Sequence, residues 1–291
     1  MSAPDFSTPQ SDEGPDLLVI GVAIGRSDVA GAAVDHPDAE ARSITSECLD
    51  TWLAIVRDRT VTLYTGKMEL GSDGRTVFTQ FVAEYFMDAL ASAVGIDPLD
   101  FRLTNTPDAR DRDLLTTTAR LSACQSGKAP KKADAKASTL TGCGIALSRY
   151  GAGDERSALV IDVAIEPATG TVTLTRACSA FDCSRVRNTR SLVDQIKTAL
   201  LRGLSRAGYQ HASFDRENAT RFNWNDARTL TFAELPPVQV HLIPRPDRPW
   251  GSLGDAGTVA TAAALANAVL DATGKHSRYV PPDPDSVKAI M

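Results

Sequence analysis

Residues 158–182, ALVIDVAIEPATGTVTLTRACSAFD, hold two apolar, β-branched runs that meet at Pro167 to Gly170. Each run alternates as a half-buried strand does, and Thr169-Gly170 supplies the turn, so the stretch predicts an antiparallel hairpin. Downstream, residues 191–207 place Leu192, Ile196, Ala199, Leu200 and Leu204 on one helical face. Residues 236–244 contain the strand VQVHLI, and the alanine-rich residues 258–273 predict a helix closed by Gly274. Hairpins interleaved with amphipathic helices indicate an α+β fold.

Upstream of the hairpin, residues 126–138, SGKAPKKADAKAS, are rich in lysine and lack any hydrophobic anchor. They predict a flexible linker, assigned to residues 122–140, between a half at 17–121 and a half at 141–291. In the first half, residues 52–70 alternate around a turn at Arg57 to Arg59, as a hairpin does. Residues 76–94 repeat apolar side chains every 3.6 residues, and their aromatic stripe of Phe78, Phe81, Tyr85 and Phe86 is expected in the core. The short aliphatic run 17–24 predicts a buried strand, residues 35–46 favour no element, and residues 1–16 predict a disordered tail.

Composition narrows the function classes. The 291 residues are 43% apolar and 23% charged, as in globular proteins. A net charge of −5 and a pI near 5.4 give no footprint for nucleic acid. No apolar run approaches the roughly 20 residues of a membrane span, and residues 1–10 carry no Lys or Arg to open a signal peptide, so the expected location is cytoplasmic. The cysteines, Cys48, Cys124, Cys143, Cys178 and Cys183, form no C-x-x-C pair, and reduced thiols are the simplest expectation. They offer no zinc or iron–sulfur ligand cluster, so any electron carrier would sit on another chain. His36, His211, His241 and His276 have no metal-ligand spacing either.

Four segments resemble the molybdopterin-binding large subunit of molybdenum hydroxylases, the xanthine dehydrogenase and aldehyde oxidase family, in its isoquinoline 1-oxidoreductase branch. The first is TVTLYTGKMELGSDGRTVFTQFVAE and the second EYFMDALASAVGIDPLDFRL, which share Glu84. The third, FDCSRVRNTRSLVDQIKTALLRGLS, keeps Asp182, Cys183, Asn188, Gln195, Ile196, Gly203, Leu204 and Ser205 in the family's register. The fourth is GSLGDAGTVATAAALANAVLDATGK. In the family, several hundred residues separate the first two segments, so the resemblance implies a chain shortened by a large internal deletion.

The resemblance implies a chemistry in which a molybdenum-bound hydroxyl, deprotonated by a buried Glu, attacks an aldehyde or N-heterocycle carbon. The metal is held by a pterin dithiolene rather than by protein ligands. Asp255 matches the Glu and is shorter by one methylene; it is the candidate base, and an N-cap is the competing reading. Ser72 matches a Gln at the molybdenum oxo group, and Asp73 the Gly after it; a turn is the alternative. Gln195 matches a residue near the pterin, but Lys197-Thr198-Ala199 replace Glu-Gly-Gly, adding Cβ atoms where backbone would approach a ligand. Gly254 and Ala256 flank Asp255 and complete the candidate cofactor-binding set of Ser72, Gln195, Gly254 and Ala256.

These departures point to a molybdenum hydroxylase-like protein, weak or inactive alone, acting as an accessory or structural subunit. Its implied partners are a full-length molybdopterin subunit and an iron–sulfur subunit. The alternatives are a working oxidoreductase subunit whose cofactor site a second chain completes, and a remnant without a role.

Overall fold

The computed structural model describes residues 18–20, 53–55, 61–63, 74–122, 138–150, 155–183, 185–210, 228–248, 256–275 and 282–291, with side chains from residue 80 onward except that of Ala256. The expected tail at 1–16 and residues 123–137 of the expected linker lie outside them. The chain forms two compact units, Met1–Met68 and Glu69–Met291. The first contains an antiparallel sheet of β1 (Leu18–Ile20), β2 (Leu53–Ile55) and β3 (Val61–Leu63), with Leu18 opposite Ile55 and Leu53 opposite Leu63. The half expected at 17–121 is thus divided between the two units.

The second unit is built on a sheet in the order β4 (Leu140–Tyr150), β5 (Glu155–Glu166), β6 (Thr171–Cys183), β7 (Val238–Pro244). The predicted hairpin is β5 and β6, paired antiparallel from Glu166 and Thr171 to Arg156 and Asp182, with a register shift between Asp162 and Val163. Its turn closes at Gly170, whose φ of 76° explains the glycine. β7 adds parallel to β6, and parallel neighbours need a long crossover, which here contains α4 (Thr189–Tyr209).

Helices cover both faces of this sheet, which is why its strands read as long apolar runs. On one face α3 (Ala109–Ser122), preceded by α2 (Pro98–Asn105), packs Leu114 and Leu115 against Ile145, Ala158, Val160 and Ala180. On the other lies α5 (Ala256–Thr273), which contacts β4, β5, α4 and α1 (Gly74–Val94). An α-helix so surrounded must be slim, and α5 buries Ala263, Ala264, Ala268 and Val269 completely. A Cβ on Gly142 would stand 2.1 Å from the Ala268 carbonyl oxygen, and one on Gly144 2.1 Å from that of Ala264. The two glycines therefore let helix and strand backbones touch. The expected aromatic core is present in Phe81, Tyr85 and Phe86 of α1, the last two edge to face at 5.5 Å. A short helix, α6 (Pro284–Ile290), follows.

The outer edge of β4 is closed by side chains rather than by another strand. Cys143 N–H donates to Asp271 Oδ2 (2.8 Å), Leu147 N–H to Glu84 Oε2 (3.0 Å) and Arg149 N–H to Gln80 Oε1 (2.7 Å). Asn267 Nδ2 donates to the carbonyls of Ile145 (3.0 Å) and Glu84 (3.1 Å). The same Glu84 accepts from Arg102, a fully buried arginine whose Nε lies 3.0 Å from Glu84 Oε2 and whose Nη1 binds Asp88. Burial pushes the Asp88 carboxyl up to about 6 against the pull of Arg102. Burial also works against the Arg102 cation, but Asp88 and Glu84 outweigh it and hold the guanidinium charged.

The expectation of reduced cysteines needs correction. Cys143 is disulfide-bonded, while Cys178 and Cys183 are free and buried. Spacing along the chain does not report distance in the fold. Among the described residues, no helix is long and apolar enough to cross a membrane.

Candidate functional site

The site begins where β6 ends. Beyond Cys183 the chain turns into α4, whose first turn is capped by Asn188: its Oδ1 accepts the Ser191 N–H at 3.0 Å. The apolar face of α4 buries Ile196, Leu200 and Leu204, as its periodicity predicts. The opposite face opens on a groove of about 590 Å³ lined by Arg190, Ser191, Asp194, Gln195, Thr198 and Arg202, among others. Arg190, Asp194, Thr198 and Arg202 recur every fourth residue, which stacks them along one helix face. That spacing is a readable signal in the sequence, and the apolar period on the other face of the same helix masks it.

Of the candidate residues, Gln195 is described. It is exposed in the groove, and its Nε2 stands 3.5 Å from Ser191 Oγ one turn earlier. Thr198 hydroxyl donates to the Asp194 carbonyl at 2.8 Å, so it serves its own helix. Ala199 behaves differently. It is buried, and a Cβ built on Gly257 would meet its Cβ at 3.2 Å. The methyl group that replaces a family glycine thus sits in the contact between α4 and α5. Ser72, Gly254 and Asp255 lie outside the described residues, and Ala256 is placed only as the first residue of α5.

Two of the family-like segments therefore converge. The contact of Gly257 with Ala199, and the Ile196 carbonyl 3.8 Å from a Cβ at Gly257, set the head of α5 beside the turn of α4 that carries Gln195. Thr258 hydroxyl donates to the Ala199 carbonyl at 3.3 Å and fastens the pair. The described residues do not by themselves fit a molybdenum–pterin group. Gln195 presents one exposed amide on an open helix face, and the buried polar atoms left without partners belong to Asp97, Glu155 and Asn267, none of them on α4. No group of His, Cys, Asp and Glu able to hold a metal ion occurs among the described residues.

Three other described residues of the family-like segments have a plain use in the fold. Asp97 caps α2 by accepting from Leu99 N–H (2.8 Å) and Asp100 N–H (3.1 Å), with Pro98 as the first helical residue. Asp182, almost fully buried, accepts Arg110 Nε (3.0 Å) and Arg245 Nε (3.1 Å). Ser205 Oγ accepts the Leu230 N–H at 3.0 Å. Asp97 thus closes the end of its own helix, while Asp182 and Ser205 tie together segments distant in the sequence.

No protein-family model matches the sequence. The chain is 34% identical over 217 residues to a nicotinate dehydrogenase subunit of Pseudomonas putida, covering 72% of the chain and 18% of that protein. It is 25% identical over 206 residues to the beta subunit of isoquinoline 1-oxidoreductase of Brevundimonas diminuta, covering 70% of the chain and 25% of the relative. The chain thus spans about a fifth to a quarter of the length of these relatives. Among solved structures, a Cu,Mo-CO dehydrogenase superposes with a TM-score of 0.67 at 12% identity, over 79% of this chain and 54% of that one, which is a likeness of fold.

Proposed function

The chain belongs to the molybdenum hydroxylase family, and from that premise we propose that it is an accessory or structural subunit, weak or inactive alone, of an oxidoreductase assembled with other chains. The observation that carries this reading is the site of Gln195: an exposed amide on an open helix face, beside an Ala199 methyl group committed to the contact with α5. A buried pterin needs a cradle of backbone and polar side chains, and one helix face supplies only part of it. A fuller molybdopterin subunit and an iron–sulfur subunit are the proposed partners. The relatives are themselves named as subunits.

The groove at the head of α4 favours a second reading, in which a partner chain completes a working site. Arg190 and Arg202 line it, and guanidinium groups suit an anionic group such as a phosphate. Asp255 would then be the base and Ser72, Gln195, Gly254 and Ala256 the cofactor contacts. Molybdenum and pterin content separates the two. The full chain purified alone is expected to contain far less than one molybdenum per protein, and to gain none in its own groove when co-purified with a fuller molybdopterin subunit. Near-stoichiometric molybdenum and pterin in the isolated chain would overturn the accessory reading.

A further inference from the structure

We propose that Cys143 is joined to Cys124, a disulfide that closes the lysine-rich segment 126–138 into a loop and marks the protein as one that matures in an oxidising compartment. Cys143 is disulfide-bonded, and Cys178 and Cys183 are free, which leaves Cys48 and Cys124 as possible partners. The placement of Cys143 chooses between them. Gly142 and Gly144 face α5, so strand alternation turns Cys143 to the opposite face, where it packs against the cluster formed with Leu114 and Leu115 of α3.

The end of α3 is fastened to that same part of the sheet. Cys143 lies opposite Asp162, and Asp162 opposite Arg176. Arg176 Nε donates to Asp162 Oδ2 at 2.6 Å, and its Nη2 to the carbonyl of Ser122, the last residue of α3. Cys124 follows Ser122 by two residues, a chain reach of at most about 7 Å. A disulfide needs Cα atoms roughly 4.4–6.8 Å apart, which that reach from an anchored helix end allows.

In forming the bond, each thiol gives up one proton and one electron. The electron pair passes to the disulfide of a thiol oxidant, which leaves as its dithiol. Such bonds persist in secreted and periplasmic proteins and are rare where glutathione keeps thiols reduced, so this inference replaces the expected cytoplasmic location. It is independent of the accessory reading and stands or falls without any cofactor.

The test uses the full chain produced by export to an oxidising compartment, digested with trypsin without reduction. A cross-linked pair of peptides 121–128 and 137–149 is expected; a link from 137–149 to 43–57, or both peptides recovered as free thiols, overturns the assignment. Closing a loop of about 20 residues should raise the melting temperature by roughly 5–10 °C. Cys124→Ser and Cys143→Ser should each lose that increment, and the double variant no more than either. Serine variants that melt with the parent would remove the stapling role. Chain made in a reducing cytoplasm should keep both thiols and melt like the serine variants; a linked chain there would overturn the compartment.

Discussion

The knot around Arg102 and the groove at the head of α4 are both made from segments that resemble one family, yet they have met opposite fates. In the knot, Glu84, Asp88 and Arg102 all match the family pattern, and each is paired with another of the three. In the groove, Gln195 still matches, but Thr198 and Ala199 do not, and Gln195 itself makes one long contact within its own helix. In the knot the residues in register hold α1 and α2 together; on α4 the departures, Thr198 and Ala199, serve their own helix and its contact with α5. The contrast explains how a chain can fold like its relatives while the residues nominated for chemistry differ.

The hardest way to strain that comparison is to remove Arg102. Arg102→Met leaves Asp88 and Glu84 facing one another without their cation, and should cost about 3–5 kcal/mol by urea unfolding at neutral pH. The loss should shrink as pH falls through about 6, because burial already holds the Asp88 carboxyl that high and without the cation it takes up a proton more readily still. A loss under 1 kcal/mol at neutral pH would mean that the knot does not hold the fold.

Titration sharpens the same point. Asp88 is raised from 3.8 to about 6, so folding favours its protonated form. Its contribution is fully present below the unfolded value near 3.8 and is lost as pH rises through about 6. Stability should therefore fall between these limits with a slope of up to about 1.4 kcal/mol per pH unit from this group. In Asp88→Asn that slope should vanish; an unchanged pH profile would remove Asp88 as its source.

The smallest effects belong to the groove. Gln195→Ala should change stability by less than about 0.5 kcal/mol, because an exposed side chain with one long contact has little to lose. Asp255, on the proposed role as the cap of α5, should lose roughly 0.5–2 kcal/mol as Ala and almost nothing as Asn. Turnover of an aldehyde or N-heterocycle in a reconstituted complex that disappears in Asp255→Asn and rises in Asp255→Glu would instead make it a base.

Where apolar periodicity runs clean, the fold is legible. The β5–β6 hairpin, α1, α4 and α5 all stand where the pattern places them, extended by up to three residues. α3 is not legible in this way, because its inward face is largely polar. Asp111, Thr117 and Thr118 are buried there, and Asp111 is neutralised by Arg149 and Arg156 from β4 and β5, partners no local window contains. β4 is hidden by Gly142 and Gly144, which interrupt an apolar run for the sake of a helix more than 100 residues later. The candidate site is legible only by resemblance. Ser72, Gly254 and Asp255 fall outside the described residues, and the arginine-lined stripe on α4 is polar, so a search for apolar spacing does not detect it.

The contact of α5 with β4 has one more implication. Side chains can change rotamer to absorb a shift, but at Gly142 and Gly144 backbone meets backbone, and neither Ala264 nor Ala268 has a rotamer to give. The helix is keyed to the strand and cannot roll or slide by a fraction of an ångström without collision. Its head, at Ala256 and Gly257, is therefore positioned from its far end, like the tip of a rod clamped along its length. Substitutions at the head can alter which chemical groups are offered there, while the place at which they are offered stays the same.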